Sequence, residues 1–206
     1  MKVLVGCEFS GIVRDAFLER GHDAISCDLK PSKRPGSHYQ GDVRDIINDG
    51  WDLAIFHPPC THLAVSGARW FYKKQKEQKQ ALEFVRELMN ADIPKIAIEN
   101  PVSIISTRIR KPDQVVQPYM FGDPHTKTTC LWLKNLPLLQ PTKMVDKGKR
   151  HITKSGRSLP EWYNLPPSED RAEIRSKTFG GFAQAMADQW GECEKHLTQL
   201  SLECYV

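Results

Sequence analysis

Short apolar runs that stop abruptly at chemically active residues constrain this chain more than any other feature. Residues 2–5, 22–27, 51–56 and 93–98 are such runs. Each is too short for a buried helix and fits a strand covered on both faces. Helical stretches separate them. Residues 12–20 end at Gly21, a residue suited to a helix stop, and residues 74–90 place Ala81, Leu82, Val85, Leu88 and Met89 on one face. Strands alternating with helices predict an α/β fold with a doubly wound, mostly parallel, Rossmann-like sheet. In such sheets ligands bind outside the carboxyl ends of the strands. Asp28, Asp42, Cys60 and Glu99 each follow a predicted strand directly, so the pattern sends four reactive side chains to one rim.

The chain has 206 residues, 40% hydrophobic and 26% charged, enough for one α/β domain over 1–206 with a real core. No apolar run is long enough to span a bilayer. Residues 1–5 read as a first strand rather than a leader, which predicts a cytoplasmic protein. The net charge of +4 permits a polyanionic partner without requiring one. The basic residues gather in a stretch over 141–176, expected to be a small irregular insertion or flap. It holds Lys143, Lys147, Lys149, Arg150, Lys154 and Arg157, followed by Trp162 and Tyr163. A last helix is expected over 182–196. The six cysteines (Cys7, Cys27, Cys60, Cys130, Cys193 and Cys204) form no Cys-x-x-Cys pair, so no metal site is indicated.

Most cysteines in a cytosolic chain are small buried hydrophobes. Cys60 differs, because His57-Pro58-Pro59 fixes the backbone ahead of it at the end of a strand. A thiolate there can attack an electrophile. Glu99 ends the neighbouring predicted strand and opens into the same crevice, where a carboxyl can exchange a proton with a bound heteroatom.

These residues occur in an order that resembles the C5-cytosine DNA methyltransferases, including small members of phages and prophages. Phe9-Ser10-Gly11 matches the family's first turn. Asp28 matches its acid after the second strand, and Gly41-Asp42-Val43 its Gly-Asp-aliphatic triplet. Pro58-Pro59-Cys60 with Ser66-Gly67 matches the Pro-Cys loop, and Glu99-Asn100 its Glu-Asn pair. Residues 121–129 resemble its late aromatic-Gly-x-Pro segment, and Gly180-Gly181-Phe182-Ala183 its C-terminal helix opening. The resemblance implies S-adenosylmethionine as cofactor, held by Phe9, Ser10, Gly11, Asp28, Asp42, Val43 and Pro58. It implies Cys60 as the nucleophile at C6 of cytosine and Glu99 as the group at N3. Asn100 would hold the Pro-Cys loop, and Lys127 would supply a cation near the base. DNA is the implied partner, with Lys143, Lys149, Arg150, Lys154 and Arg157 on its phosphates and His151 or Trp162 against bases.

The sequence departs from the family in four places. Val13 and Arg14 replace glycines of the cofactor turn, Thr61 replaces glutamine, and Thr129 replaces the second arginine of the late motif. The fourth is length, which leaves no room for a large target-recognition domain. Other readings stay open at this level: a free pyrimidine nucleotide as substrate, a one-carbon group other than methyl, amino-methylation of adenine N6 or cytosine N4, or a binding module without catalysis.

Overall fold

Because residues 2–6 are buried almost end to end, both faces of the first strand must be covered, and the rest of the architecture follows from that. The computed structural model describes residues 1–160, 168, 176 and 178–191. Strands β1 (Lys2–Gly6), β2 (Asp23–Asp28), β3 (His38–Gln40), β4 (Leu53–Phe56) and β5 (Lys95–Pro101) pair in parallel. Strands β6 (Gln114–Val116) and β7 (Thr129–Lys134) complete the sheet in the order β3-β2-β1-β4-β5-β7-β6, with β7 antiparallel to both neighbours. Chain order reverses between β1 and β4, the position where a doubly wound sheet opens its ligand crevice. This is a mostly parallel, Rossmann-like, doubly wound sheet.

Helices α1 (Ile12–Leu18) and α4 (Gly180–Gly191) cover one face. There Val13, Phe17, Met186 and Trp190 pack on Val5, Ile55 and Leu131. Helix α2 (Gln75–Met89) and the short α3 (Ile105–Arg108) cover the other, where Val85, Leu88 and Ile105 meet Leu4, Phe56, Ile98 and Trp132. No helix among the described residues is long and apolar enough to cross a membrane.

Three elements differ from the sequence expectation. The strand expected over 93–98 continues through Glu99, Asn100 and Pro101, because these three pair with Leu131, Cys130 and Thr129 of β7. His38–Gln40 is a strand inside a segment whose Pro, Ser and Lys content reads as loop, and it holds only an edge place beside β2. The described part of the 141–176 insertion is irregular up to residue 149 and then gains one short element. It carries a hairpin of β8 (Arg150–Ile152) and β9 (Ser158–Pro160). Ahead of the hairpin, residues 142–145 run against 119–120 through three backbone bonds. Gly148 (φ 77°) then lies so near the Pro124 carbonyl that a Cβ there would stand 1.8 Å from its oxygen. Trp162 and Tyr163, and the expected helix beyond residue 191, lie outside the described residues.

Arg14 is the structural surprise, with its guanidinium completely buried behind the first turn. It pairs with Asp15 at 2.7 Å and donates to Ser26 Oγ, Ser32 Oγ and the carbonyls of Pro35 and Ser37. A planar five-donor group thereby ties α1 to β2 and to the loop after it. Removing one partner from such a set strands the others in a dry site. An Arg14→Ala chain is therefore expected to lose ~3 kcal/mol of unfolding free energy in urea titration, with loosening concentrated in residues 30–37 by hydrogen exchange.

Candidate active site

The register of β4 and β5 builds the centre of the site. Phe56 pairs with Ile98, so the next residues, His57 and Glu99, stand side by side on the face that α1 and α4 cover. His57 Nδ1 lies 2.7 Å from Glu99 Oε2, and each side chain is only 11% exposed. The other ring nitrogen, Nε2, is buried with no hydrogen-bond partner among the described residues. Burial pushes the Glu99 carboxyl up, but the hydrogen bond and charge of His57, together with the charge of Lys127, outweigh it. The carboxyl consequently titrates below its ordinary value of 4.5. Glu99 and Lys127 share a narrow cleft with Gln117, Thr129, Phe179 and Phe182.

Asn100 points to the opposite face, where it is buried and donates from Nδ2 to the Pro58 carbonyl at 2.8 Å. That bond fixes the strand-end loop to β5. The loop then turns on Cys60, whose carbonyl accepts from the N–H groups of Leu63 and Ala64. Further on, Val65 N–H donates to Val102 O and Ile104 N–H donates to Leu63 O, so the segments after β4 and β5 are laced together. The Cys60 side chain is exposed, whereas Cys27 and Cys130 are buried and Cys7 is half-buried. Burial, followed by the charges of Asp28 and Asp42, pushes the thiols of Cys7 and Cys27 up to about 12, which keeps them protonated. Burial and Glu99 raise Cys130 as well.

A second cluster lies at the ends of β1 and β2. Gly11 opens α1 with φ 74°, and a Cβ there would meet the Arg14 guanidinium at 2.7 Å, so protein atoms fill the space beside this glycine. Ser10 Oγ donates to Glu8 Oε1, which also accepts from Val13 N–H at 3.3 Å. Glu8 is buried, and its Oε2 has no partner among the described residues. Phe9 is half-buried with Lys30 and Lys33 ammonium groups 5.0 and 5.8 Å from its ring. Asp28 accepts from Lys30 N–H, while Asp42 caps the turn Val43–Asp45 and pairs with Arg44 at 3.1 Å. Val43 is buried in the core below. Glu8, Asp28 and Asp42 make this end of the sheet rich in acceptors, suited to a ligand that brings amino, hydroxyl and cationic groups.

Among the basic residues, Lys143, Lys149, Arg150, Lys154 and Arg157 are all exposed. Arg150 is oriented by Ser158, through Nε to Oγ at 2.6 Å and Nη2 to the carbonyl at 2.8 Å. With Tyr119 and Lys147 it lines an open groove of about 750 Å³, and Gln117 lines both this groove and the Glu99 cleft. Lys154 and Arg157 lie at the hairpin turn and do not line this groove. Among the described residues no group of three His, Cys, Asp or Glu side chains is placed to hold a metal ion.

Two residues were not singled out for chemistry from the sequence. His57 is readable only once the β4–β5 register sets it beside Glu99. Glu8 stands next to the Phe9-Ser10-Gly11 turn, and its signal was an acid breaking an apolar strand.

The Glu99 pair has a measurable consequence. A carboxyl held below its unfolded value adds stability that is complete above pH 4.5 and lost as pH falls through the lower folded value. Urea unfolding measured from about pH 3 to about pH 6 is expected to show that acid limb in the parent chain. The limb should be absent in Glu99→Gln. In His57→Asn it should shrink or reverse, because burial then acts on the carboxyl with less opposing charge and lifts its folded value toward or above the unfolded one.

No protein-family model matches this chain, and no curated protein matches it in sequence. Among solved structures it is similar to a candidate DNA modification methyltransferase encoded within a prophage of E. coli. The identity is 15% and the TM-score 0.47, over 71% of this chain and 52% of the other. The chain thus spans about half the length of that protein.

Proposed function

We propose that the protein transfers a methyl group from S-adenosylmethionine to C5 of cytosine in DNA, through a transient bond between Cys60 and C6. The observation that carries this reading is the lacing of the exposed Cys60 loop to the strand that bears Glu99, through Asn100 Nδ2 and the Pro58 carbonyl. A binding module needs no exposed thiol on a loop fixed beside a buried carboxyl.

The residues at the β1 and β2 ends fit the cofactor in charge. Glu8 Oε2 is a buried acceptor without a partner among the described residues, available to a cationic amino group. Asp28 would accept from ribose hydroxyls and Asp42 from the adenine amino group, with Phe9, Ser10, Val43 and Pro58 framing the pocket. Gly11 contributes the turn itself, since Arg14 occupies its open side. When bound, S-adenosylmethionine supplies the methyl group as an electrophilic carbon.

The chain's own residues account for the activation of the ring. Cytosine C5 is a weak nucleophile until a group adds at C6 and N3 gains a proton. The Cys60 thiolate forms the Sγ–C6 bond while Glu99 delivers a proton to N3, so the ring electrons collect at C5. Glu99 is a carboxylate in the resting site, so the proton it passes to N3 must first reach it from the His57 ring hydrogen-bonded to its Oε2. Lys127, in the same cleft, offers its cation to the base carbonyl. After C5 has gained its methyl group and S-adenosylhomocysteine is left behind, a water molecule takes the C5 proton, Glu99 takes back the N3 proton and Cys60 departs as a thiolate, which restores the aromatic ring. If DNA is a duplex, the target base must leave the stack to reach this cleft. The exposed cations Lys143, Lys149, Arg150, Lys154 and Arg157 would meet the phosphates.

Fluorine at C5 cannot leave as a proton does, so DNA containing 5-fluorocytosine should trap the chain as a covalent adduct in the presence of S-adenosylmethionine. The adduct is expected with the parent chain and absent with Cys60→Ser, read on denaturing gels. Asn100→Ala should reduce its rate by ~10-fold or more, since a displaced nucleophile loses orientation. An adduct that persists in Cys60→Ser would overturn the assignment of the nucleophile. No adduct with DNA, alongside one with the free fluorinated nucleotide, would move the substrate to a nucleotide.

A further inference from the structure

The segment directly after the Cys60 loop has a property no other named helix of three or more turns' worth of residues shares: none of its residues is buried. It is the 3-10 helix Val65–Lys73, with Trp70 44% and Tyr72 66% exposed. Large aromatic side chains left in water on an element that builds no core mark a surface kept for contact. The rings are also surrounded by cations. Arg69 lies 5.1 Å from the Trp70 ring centroid, and Lys73 Nζ lies 5.7 Å from Trp70 and 5.5 Å from Tyr72. One ammonium therefore stands over both rings, which places the rings on a common patch around a positive charge.

The charge continues along the chain. Residues 69–79 carry Arg69, Lys73, Lys74, Lys76 and Lys79 against one carboxylate, Glu77. Exposed aromatic faces interleaved with cations match one class of ligand in both respects: a nucleic-acid strand whose bases are free to stack and whose phosphates are negative. An acidic protein would use the cations but leave the flat rings without a matching face. A closed duplex would offer phosphates but no exposed base faces.

We propose that Trp70 and Tyr72, with Arg69 and Lys73, form a stacking platform for an unpaired nucleic-acid strand. Bases adjacent to the one in the Glu99 cleft would lie on the rings, with the intervening phosphate at Lys73. The lacing of residues 63–65 to residues 102–104 fixes where this platform starts relative to the Glu99 strand. The platform goes beyond the methyl-transfer reading, since strand binding requires neither cofactor nor thiol. It would also set substrate preference, favouring strands already open around the target base.

The test is binding of a fluorescently labelled single-stranded oligodeoxycytidylate and of its duplex, by anisotropy, without S-adenosylmethionine. The parent chain is expected to prefer the single strand. Trp70→Ala with Tyr72→Ala should weaken single-strand binding by ~10-fold or more, while Trp70→Phe with Tyr72→Phe should largely restore it. Lys73→Gln should lower the slope of log affinity against log salt by about 0.7, one phosphate contact on a single strand. Because no residue of the element belongs to the buried core, these variants should keep the parent urea midpoint. Parent affinity in the double alanine variant, failure of the phenylalanine pair to restore binding, or tighter binding of the duplex would each overturn the platform. The fluorocytosine adduct is read separately. Loss of strand binding in the alanine variant with no adduct in the parent chain would sink methyl transfer and leave the platform standing. An adduct in the parent chain, with unaltered binding in the alanine variant, would do the reverse.

Discussion

The pairing of β4 with β5 is the constraint on which the candidate site depends. A parallel ladder fixes which residues stand abreast, and a slip by one would turn His57 and Glu99 to opposite faces. With Phe56 against Ile98, His57 meets Glu99 on one face and Asn100 reaches the Pro58 carbonyl on the other. The two contacts use alternate side chains of one strand, so neither can form without the other's register. The antiparallel β7 then carries β5 three residues past the end of β4, which turns what would be a loose loop into a rigid edge. A nucleophile on a flexible loop gains precision when its neighbour is held by such an edge.

That rigidity has an electrostatic counterpart. A carboxyl as buried as Glu99 would ordinarily be neutral, because desolvation penalises its charge. His57 and Lys127 reverse the balance, and the resting site therefore holds a carboxylate flanked by two nitrogen groups. Such an acid cannot serve as a proton donor on its own. In the proposed reaction it would need a neighbour that gives a proton up, and the histidine against its Oε2 would be that neighbour.

Much of this was legible in the sequence because strands buried on both faces read as unbroken apolar runs, and the residues closing them are conspicuous. The α/β alternation, the Gly21 stop and the amphipathic face of residues 74–90 all follow from periodicity. Pairing across the sheet does not. His57 looked like the residue before two prolines until register placed it, and β6 and β7 escaped because Gln114–Val116 is three residues long and β7 is defined by its partners. The hairpin β8–β9 is equally short, and its charge reads as loop. The exposed Trp70 and Tyr72 could not be told from core residues, since an aromatic side chain does not announce its burial.

Arg14 shows how a departure from a family pattern can be compensated inside the fold. Where the resembling family keeps its cofactor turn open with further glycines, this chain places a guanidinium and surrounds it with a carboxylate, two hydroxyls and two carbonyls. A buried cation so fully partnered is costly to disturb, so the turn it backs is stiff rather than mobile. Stiffness has a use beside Glu8, whose outer oxygen lacks a partner among the described residues. An unpartnered buried acceptor lowers stability in the empty protein. It also makes the site selective, because only a ligand that presents a donor at that point recovers what burial has removed. Arg14 is saturated from within, whereas Glu8 is the residue we propose the cofactor completes from outside.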